Sequence, residues 1–238
     1  MKYKRIIIKL SGEGLANKED SLSIDFKKVK LIAEQIKQIQ EEGVEVGVVV
    51  GGGNFWRGAS AEKNGIPRSR ADYIGMLATI MNSLALQSGF EGCGIKTRVQ
   101  SAVNIDQRVA EYYIKEKAVN YLSHGELVIF AGGTGRPFFT TDTTSTLVAS
   151  EIGADIILMG KNGIDGIYTA DPKVDSSAEH IDVITYDELL ERGLAVMDST
   201  AAAMARDNGV SLMVFNINEK DSLVKAIKGN IKHTKVVK

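Results

Sequence analysis

The chain has 238 residues, 44% of them hydrophobic and 25% charged, with a net charge of −1. That is enough to bury a full core, and it lacks the basic excess expected of a nucleic-acid binder. One cysteine, Cys93, and three scattered histidines, His124, His180 and His233, exclude an internal disulfide and argue against a metal cluster.

The elements follow in chain order. Arg5–Leu10 is a short apolar run that reads as a buried strand and ends in Lys9-Leu10-Ser11-Gly12. Asp25–Glu42 places Val29, Ile32, Ala33, Ile36 and Ile39 on one face of a helix that Gly43 stops. Val44–Val50 is the next strand, followed by Gly51-Gly52-Gly53 and, four positions on, Arg57. Tyr73–Leu86 is helical and apolar nearly all round, so it must be covered on more than one side. Burial inside the monomer and contact with a second subunit are both open. Ile95–Gln100 and Leu127–Phe130 are strands, the second running into Ala131-Gly132-Gly133-Thr134-Gly135-Arg136. Asp142 is placed as the N-cap of a helix reaching Glu151. After a strand at Ile156–Met159, the segment Lys161–Tyr168, with Asn162-Gly163 and Asp165-Gly166, reads as an antiparallel hairpin rising off the sheet. Helices at Asp187–Arg192 and Ser199–Asn208 and a strand at Leu212–Phe215 follow. The spaced lysines Lys225, Lys228, Lys232, Lys235 and Lys238 read as a solvated tail.

Strands alternating with helices imply βαβ units and an open, mostly parallel sheet. The expectation is one domain over residues 1–238 with a soft internal boundary near Ala154. No apolar run approaches the roughly 20 residues of a membrane span. Met1-Lys2-Tyr3-Lys4-Arg5 leads straight into the first strand and shows no signal peptide. A cytoplasmic protein without membrane or nucleic-acid partners is therefore expected.

In parallel sheets ligands sit at the carboxyl ends of strands, and all three glycine-rich loops fall there. Glycine lets a backbone approach a ligand closely, and successive N–H groups form a concave seat for anionic oxygens. Lys9 either holds its head in water at the sheet edge or, as three converging glycine loops favour, reaches phosphates over the first loop, and Arg57 adds a fixed fork for phosphate. Thr134, Gly135, Arg136, Pro137, Phe138, Phe139, Thr140 and Thr141 form a hydroxyl-rich loop whose N–H groups at a helix start suit an anion, with two phenylalanines able to flank a base or pack inward. Asp72, after Arg68 and Arg70, either pairs with those arginines or caps its helix, or accepts hydrogen bonds from sugar hydroxyls. Tyr168 offers a face for adenine, or serves its turn alone. The Walker P-loop pattern, the nucleophile elbow and the protein-kinase catalytic loop are absent.

These motifs resemble the bacterial UMP kinases, a branch of the amino-acid-kinase family. The likeness rests on Lys9-Leu10-Ser11-Gly12-Glu13, Gly51-Gly52-Gly53-Asn54-Phe55-Trp56-Arg57-Gly58, Asp72 with Gly75-Met76-Leu77-Ala78-Thr79, Gly133-Thr134-Gly135-Arg136-Pro137-Phe138-Phe139-Thr140-Thr141-Asp142, and Asp165-Gly166-Ile167-Tyr168-Thr169-Ala170-Asp171-Pro172. The resemblance implies a three-layer αβα sandwich, a homohexamer built as a trimer of dimers, and phosphorylation of UMP by MgATP in pyrimidine nucleotide biosynthesis. It implies that Lys9, Ser11, Gly12, Gly53 and Arg57 bind ATP phosphates, and that Asn162, Tyr168 and Asp171 hold the adenosine end. Gly52, Asp72 and Thr134 through Thr141 would hold UMP. Lys9, Arg57 and Asp142 would be catalytic, with Asp142 organising the lysine. Lys161 and Asp198 would join the site. Magnesium would ride on ATP phosphates rather than on protein ligands. The acceptor side would lie mainly in residues 1–153 and the ATP side in 154–238. Two features depart from the common pattern. Ser21-Leu22-Ser23-Ile24-Asp25 replaces a glycine-bearing loop associated with GTP activation, and Arg136 replaces an asparagine. The rival readings are a carboxylate or carbamate kinase of the same fold and a nucleotide-binding regulator without catalysis.

Overall fold

A computed structural model describes residues 2–17, 19–58, 61, 64–170, 172, 174–175, 177–194 and 196–238. Its frame is a nine-stranded sheet in the order β4-β3-β5-β2-β1-β6-β10-β11-β9. The strands are β1 (Arg5–Leu10), β2 (Glu45–Val50), β3 (Thr97–Ser101), β4 (Glu111–Tyr112), β5 (Leu127–Ala131), β6 (Ile156–Lys161), β9 (Val183–Thr185), β10 (Ser211–Asn216) and β11 (His233–Val237). All neighbours pair in parallel except β10 with β11. A separate antiparallel pair joins β7 (Ile167–Tyr168) to β8 (His180–Ile181).

The central strands are apolar on both sides because helices cover both faces. Period-two alternation divides each strand's residues between two cores. Ile6, Ile8, Val46, Val48 and Ile129 pack on one face with Val29, Ile36, Leu86 and Phe90. Those partners come from α2 (Phe26–Glu41) and α3 (Arg68–Gly92), the first helix, α1, being the single turn Gly12–Leu15. Ile7, Val49, Val128 and Phe130 pack on the other face with Leu122, Val148, Leu189 and Ala201. These belong to α4 (Lys115–Ser123), α5 (Thr141–Ile152), α6 (Tyr186–Glu191) and α7 (Ser199–Asn208). The layers are therefore helix, sheet, helix, as expected.

The chain builds the sheet outward from its middle. β1 to β5 occupy one half, and β6 starts the other half directly beside β1. Strand order thus reverses between β1 and β6, the place where open α/β sheets leave a crevice.

Four expectations need correction. Lys161 lies in β6, paired across from Asn216, so no hairpin starts there; the antiparallel partner of Ile167–Tyr168 is His180–Ile181, further along the chain. The C-terminal lysines are not a tail. Ser222–Lys228 forms α8, and His233–Val237 adds β11 to the sheet, burying Thr234 and Val236. Lys228 pairs with Glu42 at 2.7 Å and Lys232 with Asp165 at 2.9 Å. Asp142 is not the cap of α5: Thr140 is, its hydroxyl accepting from the Asp142 and Thr143 N–H groups. Nor does Asp72 cap its helix, which begins at Arg68.

Of the two open accounts for the apolar helix α3, burial inside the monomer holds for one face. Met76, Ile80, Leu86 and Phe90 are buried within the monomer, while Tyr73, Leu77 and Met81 form a stripe about half exposed. Among the described residues no helix is long and apolar enough to cross a membrane.

Candidate active site

The three glycine loops converge. A Cβ on Gly12 would lie 2.5 Å from Asn54 Oδ1, 2.6 Å from the Gly51 carbonyl oxygen and 2.8 Å from the Gly53 nitrogen. The first loop thus touches the second, and only glycine fits between them. A Cβ on Gly51 would lie 3.6 Å from Thr141 Oγ1, which brings in the third loop. Ser11 caps α1, its hydroxyl accepting from the Gly14 N–H at 3.0 Å. Arg57 pairs with Glu13 at 2.6 Å across the mouth, both side chains being well exposed.

Lys9 is buried to all but 12% and its ammonium lies 2.7 Å from Asp142 Oδ1. That oxygen nonetheless receives no well-aligned hydrogen bond. The contact is a close ion pair whose hydrogen-bond angle is poor. In the β1–β6 register Lys9 sits opposite Met159, so Lys161, two residues on, shares its face. Burial first, and then the charge of Lys9, hold the Lys161 ammonium below the usual lysine range, with Asp142 opposing them. Two lysines and one carboxylate therefore meet where the strand order reverses.

Beside them is a cavity of about 130 Å³. It is lined by Gly52, Asp72, Thr134, Arg136, Phe139, Thr140 and Thr141 among the expected acceptor residues, but not by Gly135, Pro137 or Phe138. Asp72 reaches this wall from α3. It pairs with Arg68 at 3.0 Å and accepts from the Phe138 N–H at 2.8 Å. The expected pairing with an arginine is present, and the carboxylate also faces the cavity. A second cavity of about 190 Å³ adjoins the first at Gly133 and Thr134, lined by Tyr112, Tyr113, Phe130 and Gln100.

On the other half of the sheet, Asn162 is exposed on the turn after β6, one residue past Lys161. The Tyr168 hydroxyl donates to Asp165 at 2.8 Å and accepts from Lys232 at 2.9 Å, and the Lys232 ammonium also lies 5.2 Å from the Tyr168 ring centre. Asp171 lies outside the described residues.

Residues 4–216 match the sequence model of the amino acid kinase family. The chain belongs to this family. Over 238 residues it is 65% identical to the uridylate kinase of Mycoplasmopsis synoviae, all of both chains being covered. Its fold follows the crystal structure of UMP kinase from Ureaplasma parvum with a TM-score of 0.94, 39% identity and full coverage of both chains. For UMP kinase from Bacillus anthracis the TM-score is 0.93 and the identity 40%, covering 99% of this chain and 96% of that one. The three-layer α/β fold is thus the fold of these family members.

Asn82, Thr79 and Trp56 shape this crevice, yet none of them drew a role of its own from the sequence. Asn82, fully buried in α3, donates to the Gly51 carbonyl at 2.7 Å and pairs amide to amide with Asn54. The Gly132 N–H donates to Thr79 Oγ1 at 2.9 Å. One helix thus holds two of the three loops by polar side chains. Their signal was visible: Thr79, Asn82 and Ser83 interrupt an otherwise apolar helix, and buried polar groups must find partners. Trp56 lines the first cavity and donates from Nε1 to the Ala71 carbonyl at 2.8 Å. Asp198, which the resemblance did imply for the site, caps α7 through the Ala201 N–H at 2.8 Å and accepts from the Thr140 and Thr143 hydroxyls. It ties the second half of the chain to the helix that carries Asp142.

Proposed function

We infer that this chain transfers the γ-phosphoryl group of ATP to UMP, giving ADP and UDP. The observation that carries the reading is the meeting of Lys9, Asp142 and Lys161 at the β1–β6 reversal, beside a cavity walled by Asp72 and the hydroxyl-rich loop. Gly52, Asp72 and Thr134 through Thr141 hold UMP, with Asp72 on the ribose. Ser11, Gly12, Gly53 and Arg57 hold ATP phosphates, and Asn162, Tyr168 and Asp171 its adenosine end. This divides the acceptor half, residues 1–153, from the ATP half, 154–238, within one domain.

The acceptor is a phosphate oxygen, already anionic near neutral pH, so no general base is needed. The obstacle is repulsion between two highly charged nucleotides. Catalysis is then positioning and charge neutralisation. Lys9, Lys161 and Arg57 supply cations, and the loop N–H groups supply fixed dipoles. Asp142, 2.7 Å from the Lys9 ammonium, holds that side chain in place. Magnesium would arrive with ATP and would offset the triphosphate charge; the carboxylates of Asp142 and Glu13 already face Lys9 and Arg57, and the described residues hold no cluster that would bind the ion by itself.

Self-association to a homohexamer is part of the proposal, supported by the apolar stripe of Tyr73, Leu77 and Met81. The reducing environment suited to a lone Cys93 supports a cytoplasmic site of action. A coupled ADP-release assay offering UMP, CMP, N-acetylglutamate and aspartate tests the reading. Turnover with UMP well above the other acceptors is expected; preference for either carboxylate would replace UMP as the acceptor.

A further inference from the structure

Arg68 opens α3, and Asp72 lies one turn later on the same face. As a helix-stabilising pair this is poorly placed. A cation in the first turn opposes the helix dipole, and the basic residue stands N-terminal to the acidic one. The pair is nonetheless well formed: Arg68 Nε lies 3.0 Å from Asp72 Oδ1 and 3.1 Å from Oδ2. Asp72 Oδ2 also accepts from the Phe138 N–H at 2.8 Å, linking α3 to the acceptor loop. Phe138 has φ of 73°, a left-handed conformation that a non-glycine residue adopts only at a cost. The Arg68 guanidinium lies 5.9 Å from its ring centre. One arginine thus braces both the carboxylate that faces the first cavity and the ring of the strained residue that carboxylate holds.

We propose that Arg68 is a positioning residue of the acceptor site, clamping Asp72 and through it the Phe138 turn, so that the acceptor cavity is shaped before the acceptor enters. This rests on the reading of that cavity as the UMP site. Arg68 does not itself line the cavity; it touches the acceptor wall through Asp72 and the Phe138 ring. Its loss raises the cost of ordering the loop, a cost that falls on binding rather than on phosphoryl transfer.

The test compares Arg68→Gln and Arg68→Lys with the parent. KM for UMP, KM for ATP, kcat, and hydrogen–deuterium exchange of the Phe138 amide without nucleotide are the readouts. For Arg68→Gln the expectation is a rise of about fivefold in KM for UMP, the scale of a part-exposed ion pair, with kcat and KM for ATP held within about twofold. Exchange at Phe138 quickens in the same variant. Arg68→Lys falls between, keeping the charge but not the planar guanidinium. Unchanged Phe138 protection overturns the clamp, and so does a parent-like KM for UMP in both variants. A drop in kcat at constant KM overturns it as well. If Arg68→Gln does not fold, Arg68→Lys decides by the same readouts. Exchange requires no substrate, so failure of the parent to use UMP would sink the functional reading while leaving the clamp measurable.

Discussion

Lys9 and Lys161 stand on one face of adjacent strands with a single carboxylate between them, and their roles should separate kinetically. Lys9→Ala is expected to lower kcat on the order of 10²–10³-fold while UMP affinity changes little, because its charge matters most where charge develops. Steady-state kinetics with both substrates varied will check this; a parent-like kcat removes Lys9 from catalysis. Lys161 carries a stability signature too. Its ammonium is disfavoured in the fold, so the unfolded chain binds that proton more tightly. The contribution is unfavourable at neutral pH and shrinks as pH rises toward the ordinary lysine value of 10.5. Lys161→Met should therefore raise Tm at pH 7, show a smaller gain near pH 10, and lose turnover. Thermal melts across pH measure it, and a lower Tm at pH 7 would show that the buried charge is compensated.

α3 is the element that makes the site rigid. Its inner face joins the core through Met76, Ile80, Leu86 and Phe90, while Thr79 and Asn82 grip the backbones of two loops. Asn82→Ala strands the buried Gly51 carbonyl and removes the donor to Asn54 Oδ1, while Asn54 Nδ2 keeps the Ser23 carbonyl. A loss of about 2–3 kcal/mol in unfolding free energy is expected, with weaker nucleotide binding. Chemical denaturation and UMP titration provide the check, and Asn82→Asp keeps the shape while altering the donor. Indifference of both properties to Asn82→Ala would mean that the loops hold themselves. Much of α3 was legible from its composition, which gave the helix and its buried inner face; the monomer leaves the outer stripe of Tyr73, Leu77 and Met81 half exposed. Its full extent, Arg68–Gly92, exceeds the apolar stretch Tyr73–Leu86 because polar residues at each end continue the helix without continuing the pattern.

At the scale of the molecule, the outer face of α3 leaves Tyr73, Leu77 and Met81 one turn apart and half exposed. Carboxylates placed there would have to be desolvated against a partner subunit. Leu77→Glu with Met81→Glu is thus expected to give a smaller species in sedimentation velocity, with unchanged circular dichroism. Parent-like sedimentation would place any subunit contact elsewhere. The β1–β6 reversal has a broader consequence. It sets residues from the two halves of the chain side by side, so the lysine pair and the Asp198 link to Thr140 exist only in the folded sheet.

The six strands β1, β2, β3, β5, β6 and β10, the glycine loops and the mostly parallel α/β class followed from the amino-acid sequence by itself, because apolar periodicity and the missing Cβ of glycine act within a few residues; the short edge strands β4 and β9 were too brief to carry that pattern. The C-terminal strand His233–Val237 did not follow either, since five residues with two inward side chains resemble a tail until β10 lies beside them. Asp142 read as a cap for a related reason: its local surroundings suit one, but tertiary packing gives the cap to Thr140 and brings Lys9 to Asp142. Strand order and register decide which charges become neighbours, and they are settled by burying both faces of the sheet at once, a constraint that no short segment contains.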